Sequence, residues 1–206
     1  MSLRVSVFIA TSLDGFIARA DGAIDWLDEA NAMVPEGEDC GYQAFMTTVD
    51  VLIMGRNTYE QVLSFGQWPY GDKPVIVLSR QPLQIPNELA QTVSRSSESP
   101  KALCHRLAKE GANRLYIDGG VTIQRFLTEG LIDDITITII PIILGGGKSL
   151  FGPLEQDIAL KQAATKTFDF GFVQITYEVL RRPLQSNLRS KADSTLHPGE
   201  SVREKD

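Results

Sequence analysis

Three short apolar runs in this chain each lead into a turn of glycine, hydroxyl-bearing or arginine residues, where a helix is expected to begin. The runs are residues 51–54, 75–78 and 115–117, and the turns hold Gly55, Arg56 and Thr58, then Ser79 and Arg80, and then Gly119, Gly120, Val121 and Thr122. The first amides of a helix have no partner within it, and the helix dipole adds positive potential, so such junctions bind anions. Three of them predict a ligand with several phosphates in an extended pose. That ligand would be a dinucleotide cofactor, and the chemistry would be redox.

The second and third turns carry side chains that refine this prediction. Leu78 ends a strand and is followed by Ser79 and Arg80. NAD-specific folds usually place an acidic residue there for the ribose hydroxyls, whereas a hydroxyl and a cation suit a 2′-phosphate, so we predict NADPH rather than NADH. Asp118 precedes the Gly119–Gly120 turn, whose amides are expected to wrap the pyrophosphate. An acid beside a pyrophosphate is unfavourable unless it points away or caps the helix.

Composition limits the class of protein. The chain has 206 residues, 43% of them hydrophobic, and a formal net charge of -6. We expect one domain over residues 1–181 and a polar tail over 182–206. The acidic balance argues against a nucleic-acid surface, and no run is long enough to predict a membrane span. With only Cys40, Cys104 and two histidines, we expect no metal site and reduced thiols in the cytoplasm.

Apolar strands alternate with helical patterns and are followed by strands alone, which predicts an α/β core. We expect a mixed, mainly parallel sheet flanked by helices and completed by a C-terminal antiparallel hairpin over residues 160–168 and 172–180. The first strand is predicted over residues 3–10 and a helix over about 40–48. Residues 134–144 are β-branched and apolar on both faces, as in a central strand or an interface strand. The interface alternative predicts a homodimer.

A family resemblance rests on the order and spacing of several segments. Residues 54–60 (Met-Gly-Arg-Asn-Thr-Tyr-Glu), the strand end at 77–80, and Asp118-Gly119-Gly120 resemble the dihydrofolate reductase fold. Residues 12–18 and 141–151 are similar to one branch of it, the reductase domain of the bifunctional riboflavin-biosynthesis deaminase-reductase and its stand-alone relatives. The resemblance covers about residues 3 to 180. The deaminase zinc signature cannot be assembled from two thiols, so the resemblance implies the reductase half alone.

The resemblance implies roles for individual residues. Gly55, Arg56 and Thr58 would hold NADPH phosphates, and the backbone at Ala10 and Ile17 would bind the nicotinamide carboxamide. An ungapped count back from Gly55 places Asp39 where dihydrofolate reductases keep their catalytic carboxylate. In a closed apolar pocket its pKa would be raised, and it could donate a proton.

Other groups compete for the substrate side of the site. Asp25 is an alternative proton donor, and water is another. Thr138 is a candidate substrate contact, and Lys148 or Lys73 could bind an anionic substrate.

Three functions remain open from the sequence. The first is an NADPH-dependent reductase of a small heterocyclic substrate, of the 5-amino-6-(5-phosphoribosylamino)uracil reductase type. The second is dihydrofolate reduction, which requires a buried carboxylate and is disfavoured if Asp39 points to solvent. The third is a non-catalytic nucleotide-binding module, which predicts a cofactor cleft with no adjoining substrate pocket.

Overall fold

A computed structural model describes residues 3–180 of the chain. The predicted tail over 182–206 lies outside the described residues. The strands are β1 (Arg4–Ser12), β2 (Phe16–Ala18), β3 (Val51–Gly55), β4 (Val75–Leu78), β5 (Val93–Ser96), β6 (Arg114–Asp118), β7 (Asp134–Ile140), β8 (Lys148–Ser149), β9 (Leu160–Thr167) and β10 (Val173–Val179). The helices are α1 (Asp25–Asn31), α2 (Tyr42–Thr47), α3 (Arg56–Ser64), α4 (Pro100–Lys109) and α5 (Gly120–Thr128), with a short 3-10 turn at Asn87–Leu89.

Eight strands form one sheet in the order β5-β4-β3-β6-β1-β7-β10-β9. The first six in this order pair in parallel, while β10 runs antiparallel to β7 and β9 antiparallel to β10. A separate two-stranded sheet joins β2 to β8. The predicted α/β fold class, with a mixed, mainly parallel sheet flanked by helices and a C-terminal antiparallel hairpin, is confirmed.

Alternating side chains of the parallel strands pack into two cores on opposite faces of the sheet. Ile53 lies in a cluster with side chains of α4 and α5, whereas its neighbours Leu52 and Met54 lie in a second cluster with α2 and α3. This alternation follows from the two-residue period of a strand. Phe126 of α5 is fully buried, and burying such a side chain contributes about 2–3 kcal/mol. The sheet therefore holds α3 and α5 on opposite faces with their N-termini at one edge.

Strand β7 is shorter than the sequence predicted. It ends at Ile140 because Pro141, which lacks an amide proton, follows. It pairs with β1 on one side and with β10 on the other, so it is a central strand of its own sheet. That position explains its two apolar faces without a second subunit, and the homodimer stays a prediction.

No helix within residues 3–180 combines the length and the apolar character needed to cross a bilayer.

Candidate active site

A cleft with a volume of about 870 Å³ opens at the carboxyl ends of β1, β3, β4 and β6. In open α/β sheets this edge is where ligands bind. The predicted cofactor residues that line the cleft are Ala10, Ile17, Gly55, Arg56, Thr58, Leu78, Gly119, Gly120, Val121 and Thr122. The junctions of β3 with α3 and of β6 with α5 therefore meet in one place with the end of β4, which is followed by a loop and not by the expected helix.

The N-termini of α3 and α5 face each other across this cleft. A β-carbon on Gly55 would lie 2.9 Å from Thr122 Oγ1, and one on Gly119 would collide with Thr58 Oγ1. Gly119 also has a φ of 86°, which favours glycine. Neither helix has a side-chain cap at its N-terminus. Their first backbone amides are therefore available to an anion, and two dipoles converge on it.

Arg56, the first residue of α3, links the cleft to the loop after β4. Its Nε donates to Glu60 Oε1 at 2.6 Å, and its Nη1 donates to Gln81 Oε1 at 3.0 Å. These contacts orient the guanidinium beside the unpartnered amides of α3. An arginine held in this way is suited to a phosphate oxygen.

Ser79 and Arg80 lie just outside the residues that line the cleft. Ser79 Oγ donates to Gln81 O at 2.8 Å, and Arg95 Nη1 donates to Ser79 O at 3.1 Å. The turn is therefore fixed from two sides, while Arg80 is exposed. Their predicted contact with a 2′-phosphate stays a prediction, since it depends on the ligand extending past Leu78.

Lys148 lies over the other end of the cleft. It belongs to β8, which pairs with β2, and its Nζ would be 2.8 Å from a β-carbon on Gly22. Gln124 Nε2 donates to the carbonyl oxygens of Ser149 and Leu150 at 3.1 and 3.2 Å, which ties this two-stranded flap to α5. Within residues 3–180 no ion pair is recorded for Lys148, so its ammonium group can face an anionic ligand.

Asp118 is the carboxylate of the cleft. It ends β6, lines the cleft, and accepts a hydrogen bond from the Gly119 amide at 2.7 Å. Burial raises its pKa from 3.8 to about 6, although the Gly119 amide opposes the change. A carboxyl group with this pKa exchanges a proton near neutral pH. The sequence signal was present, since Asp118 is the only acid at the end of an otherwise apolar strand, but it was interpreted only as unfavourable for a pyrophosphate.

Asp39 lies just before α2, as the count predicted, but it does not line the cleft. Its carboxylate is exposed and accepts hydrogen bonds from Gly41 N at 2.8 Å and Gln43 N at 2.7 Å. These amide bonds lower its pKa, whereas a proton donor needs a raised pKa. The helix begins only at Tyr42, after Gly41 in a left-handed conformation. The ungapped count therefore reached a helix-capping residue, and the expectation of a closed apolar pocket around Asp39 was wrong.

The remaining substrate candidates, apart from Lys148, lie outside the cleft lining. Asp25 is exposed and pairs with Arg19, which lowers the Asp25 pKa. Thr138 is buried in β7, where its Oγ1 accepts from Gln174 Nε2 at 2.9 Å. Lys73 Nζ donates to Val49 O at 2.6 Å. Each of these polar groups has a partner within the fold, and none of the three lines the cleft. Within residues 3–180 no three His, Cys, Asp or Glu side chains are grouped as a metal ion would need.

Known proteins resemble this chain over most of its length. Protein YwjB of Bacillus subtilis (strain 168) is 40% identical over 171 residues, which are 82% of this chain and 94% of YwjB. A solved structure from Shewanella sp. PV-4, named for riboflavin biosynthesis, is 44% identical with a TM-score of 0.81 and covers 87% of this chain and 100% of that one. Dihydrofolate reductase from Enterococcus faecalis, solved with NADP(H), shares the fold at 16% identity and a TM-score of 0.57, over 85% of this chain and 96% of that one.

The family model described as the RibD C-terminal domain matches residues 4–174. Those residues include all five helices and β1 to β9, together with both helix N-termini at the cleft. The chain therefore belongs to the RibD C-terminal domain family.

Proposed function

We propose that this protein is an NADPH-dependent reductase that transfers hydride to a small heterocyclic substrate of the riboflavin-biosynthesis type. The observation that carries the proposal is the pair of uncapped helix N-termini, which face each other beside Arg56 at the edge of a parallel sheet. This arrangement fits a pyrophosphate. The Enterococcus relative of the same fold was solved with NADP(H), which agrees with that assignment.

Different residues of the cleft would bind the cofactor and the substrate. The α3 and α5 amides and Arg56 would hold the pyrophosphate, and the backbone near Ala10 and Ile17 would orient the nicotinamide. Bound NADPH would supply the hydride. The cleft is also lined by apolar side chains at the start of α1 and just after α3 that no predicted cofactor contact uses, namely Ile24, Leu27 and Phe65. This adjoining space favours an enzyme over a binding module.

Asp118 would supply the proton that accompanies the hydride. Its carboxyl group lines the cleft, and its pKa of about 6 keeps a useful fraction protonated at neutral pH. Lys148, on the flap, would bind a substrate phosphate. The remaining contribution of the protein is to orient the reactants and to exclude water.

Dihydrofolate reduction is the less favoured alternative. It required Asp39 to be a buried carboxylate, and Asp39 is exposed and caps α2. The riboflavin-type reductase does not depend on that residue. The relative at 44% identity is also named for riboflavin biosynthesis.

The test is NADPH oxidation with two substrates, 5-amino-6-(5-phosphoribosylamino)uracil and dihydrofolate. We expect turnover of the uracil compound alone. Asp118→Asn should lower kcat about 100-fold or more, the range for a lost general acid, whereas Asp39→Asn should leave it unchanged. Turnover of dihydrofolate alone, or equal losses in the two variants, would contradict the proposal.

A further inference from the structure

Tyr70 lines the cleft from a loop for which the sequence analysis predicts no function. The loop follows α3 and includes residues 65–71, and its aromatic side chains Trp68 and Tyr70 pack against the core formed with α2 and α3. Tyr70 is half-buried and lines the same cleft as Asp118. A loop residue thus adds a tyrosine side chain to the lining of the cleft.

Aromatic packing fixes the position of Tyr70. Its ring meets Trp68 edge to face with centroids 5.1 Å apart, and Trp68 meets Tyr59 in the same manner at 6.0 Å. Tyr59 is fully buried, and its hydroxyl donates to Gln84 O at 3.2 Å. The carbonyl of Tyr70 accepts from the Lys73 amide at 3.0 Å. The edge-to-face aromatic contacts and this backbone hydrogen bond together preorganise the ring.

The hydroxyl of Tyr70 is a permanent donor. Burial raises its pKa, and the nearby Asp118 carboxylate raises it further, so the phenol stays neutral at physiological pH. Asp118 is close enough for its charge to act on the phenol, yet no hydrogen bond between the two side chains is recorded within residues 3–180. The two groups can therefore contact different atoms of one bound molecule.

We propose that Tyr70 is a specificity-determining residue that donates a hydrogen bond to a ring carbonyl of a planar heterocyclic substrate whose neighbouring nitrogen faces Asp118. This inference deepens the proposed function and uses the same cleft. A buried donor that loses its acceptor is left unpaired, so the site discriminates against rings with amino groups in place of carbonyls. Ile24 and Leu27 line the same cleft and can contact the ring itself.

The test measures binding rather than turnover. Wild-type protein saturated with NADP⁺ is titrated with 5,6-diaminouracil, which has ring carbonyls, and with 2,4,5,6-tetraaminopyrimidine, which has none. Tyr70→Phe is compared with Tyr177→Phe, which removes a hydroxyl from β10 at the opposite side of the sheet. The melting temperature and the Kd for NADPH of each variant show whether the fold and the cofactor site are intact.

We expect Tyr70→Phe to weaken diaminouracil binding roughly two- to tenfold, the range for one neutral hydrogen bond. The Kd values for tetraaminopyrimidine and NADPH should stay unchanged. Tyr177→Phe should change none of these. Equal losses for both pyrimidines in Tyr70→Phe, an undiminished affinity for diaminouracil, or no binding of either pyrimidine to the wild type would overturn the inference. Tyr70-dependent binding without any NADPH oxidation would instead contradict the proposed reductase and leave this inference standing.

Discussion

Replacing Asp118 by Asn should stabilise the protein in a pH-dependent way while it removes activity. The folded pKa of Asp118 is about 6 and its ordinary value is 3.8, so the folded state binds the proton more tightly than the unfolded state. Protonation of Asp118 thus stabilises the folded state at low pH, and this stabilisation is lost as the pH rises through the folded pKa. Asparagine has no charge to bury, so Asp118→Asn avoids the free-energy cost of ionising this carboxyl group in the folded state.

The magnitude follows from the two pKa values. At about 1.36 kcal/mol per pH unit, the full cost of ionising Asp118 in the folded state is about 3 kcal/mol, and access to water in the cleft reduces it to about 2 kcal/mol. Asp118→Asn should therefore raise the free energy of unfolding by about 2 kcal/mol at pH 8. At pH 4 the gain should fall to about 0.5 kcal/mol, because the folded carboxyl is then protonated.

The assay is urea unfolding at the two pH values, with Asp39→Asn as the control of opposite sign. The pKa of Asp39 is lowered by the α2 amides, so its ionised form stabilises the fold. Asp39→Asn should therefore destabilise the protein at pH 8 and less so at acid pH. A stability gain in Asp118→Asn that is the same at both pH values would refute the assignment of a raised pKa to this carboxyl.

Three further variants test other parts of the account. In equilibrium titrations Arg80→Ala should weaken NADPH binding by about 1.5–3 kcal/mol, the range for a charged hydrogen bond, and leave NADH binding nearly unchanged. Equal losses of affinity for the two cofactors would remove the basis for NADPH preference. Gly119→Ala should abolish saturable NADPH binding, because its β-carbon meets Thr58 Oγ1 and its φ is positive; normal affinity would contradict the close approach. Asp134→Asn should lower the free energy of unfolding by about 2 kcal/mol, since it leaves two arginines without their buried partner, whereas exposed Glu110→Gln should change it by less than about 0.5 kcal/mol; similar losses would argue that the Asp134 cluster is not buried.

The convergence of the strand-helix junctions could be predicted because parallel strands bring their carboxyl ends to one edge. Gly55, Leu78 and Gly119 therefore share a cleft although about 64 residues separate the first from the last. Strand β5 was not predicted. It has four residues, the two inner ones exposed and the two outer ones buried, which is too short a segment to show periodicity.

The carboxylate that we propose as the proton donor could not be identified from the sequence, because burial in the cleft depends on how distant segments pack. The ungapped count placed Asp39 at the start of a helix, but Asp39 lies in an exposed loop and that helix begins only at Tyr42. Asp118 was visible as a single acid after an apolar strand, yet the sequence does not show which side of the cofactor it faces. Tyr70 depends on a loop whose path is set by Trp68 packing, and no local pattern encodes that path.

The most direct test of the central claim is a phosphorus NMR titration of NADPH with the protein. If the α3 and α5 N-termini bind the dinucleotide, the two pyrophosphate signals should shift together and saturate at an equimolar ratio, and Gly119→Ala should abolish the shifts. Pyrophosphate signals that stay at their free positions while the protein is in excess would contradict the account.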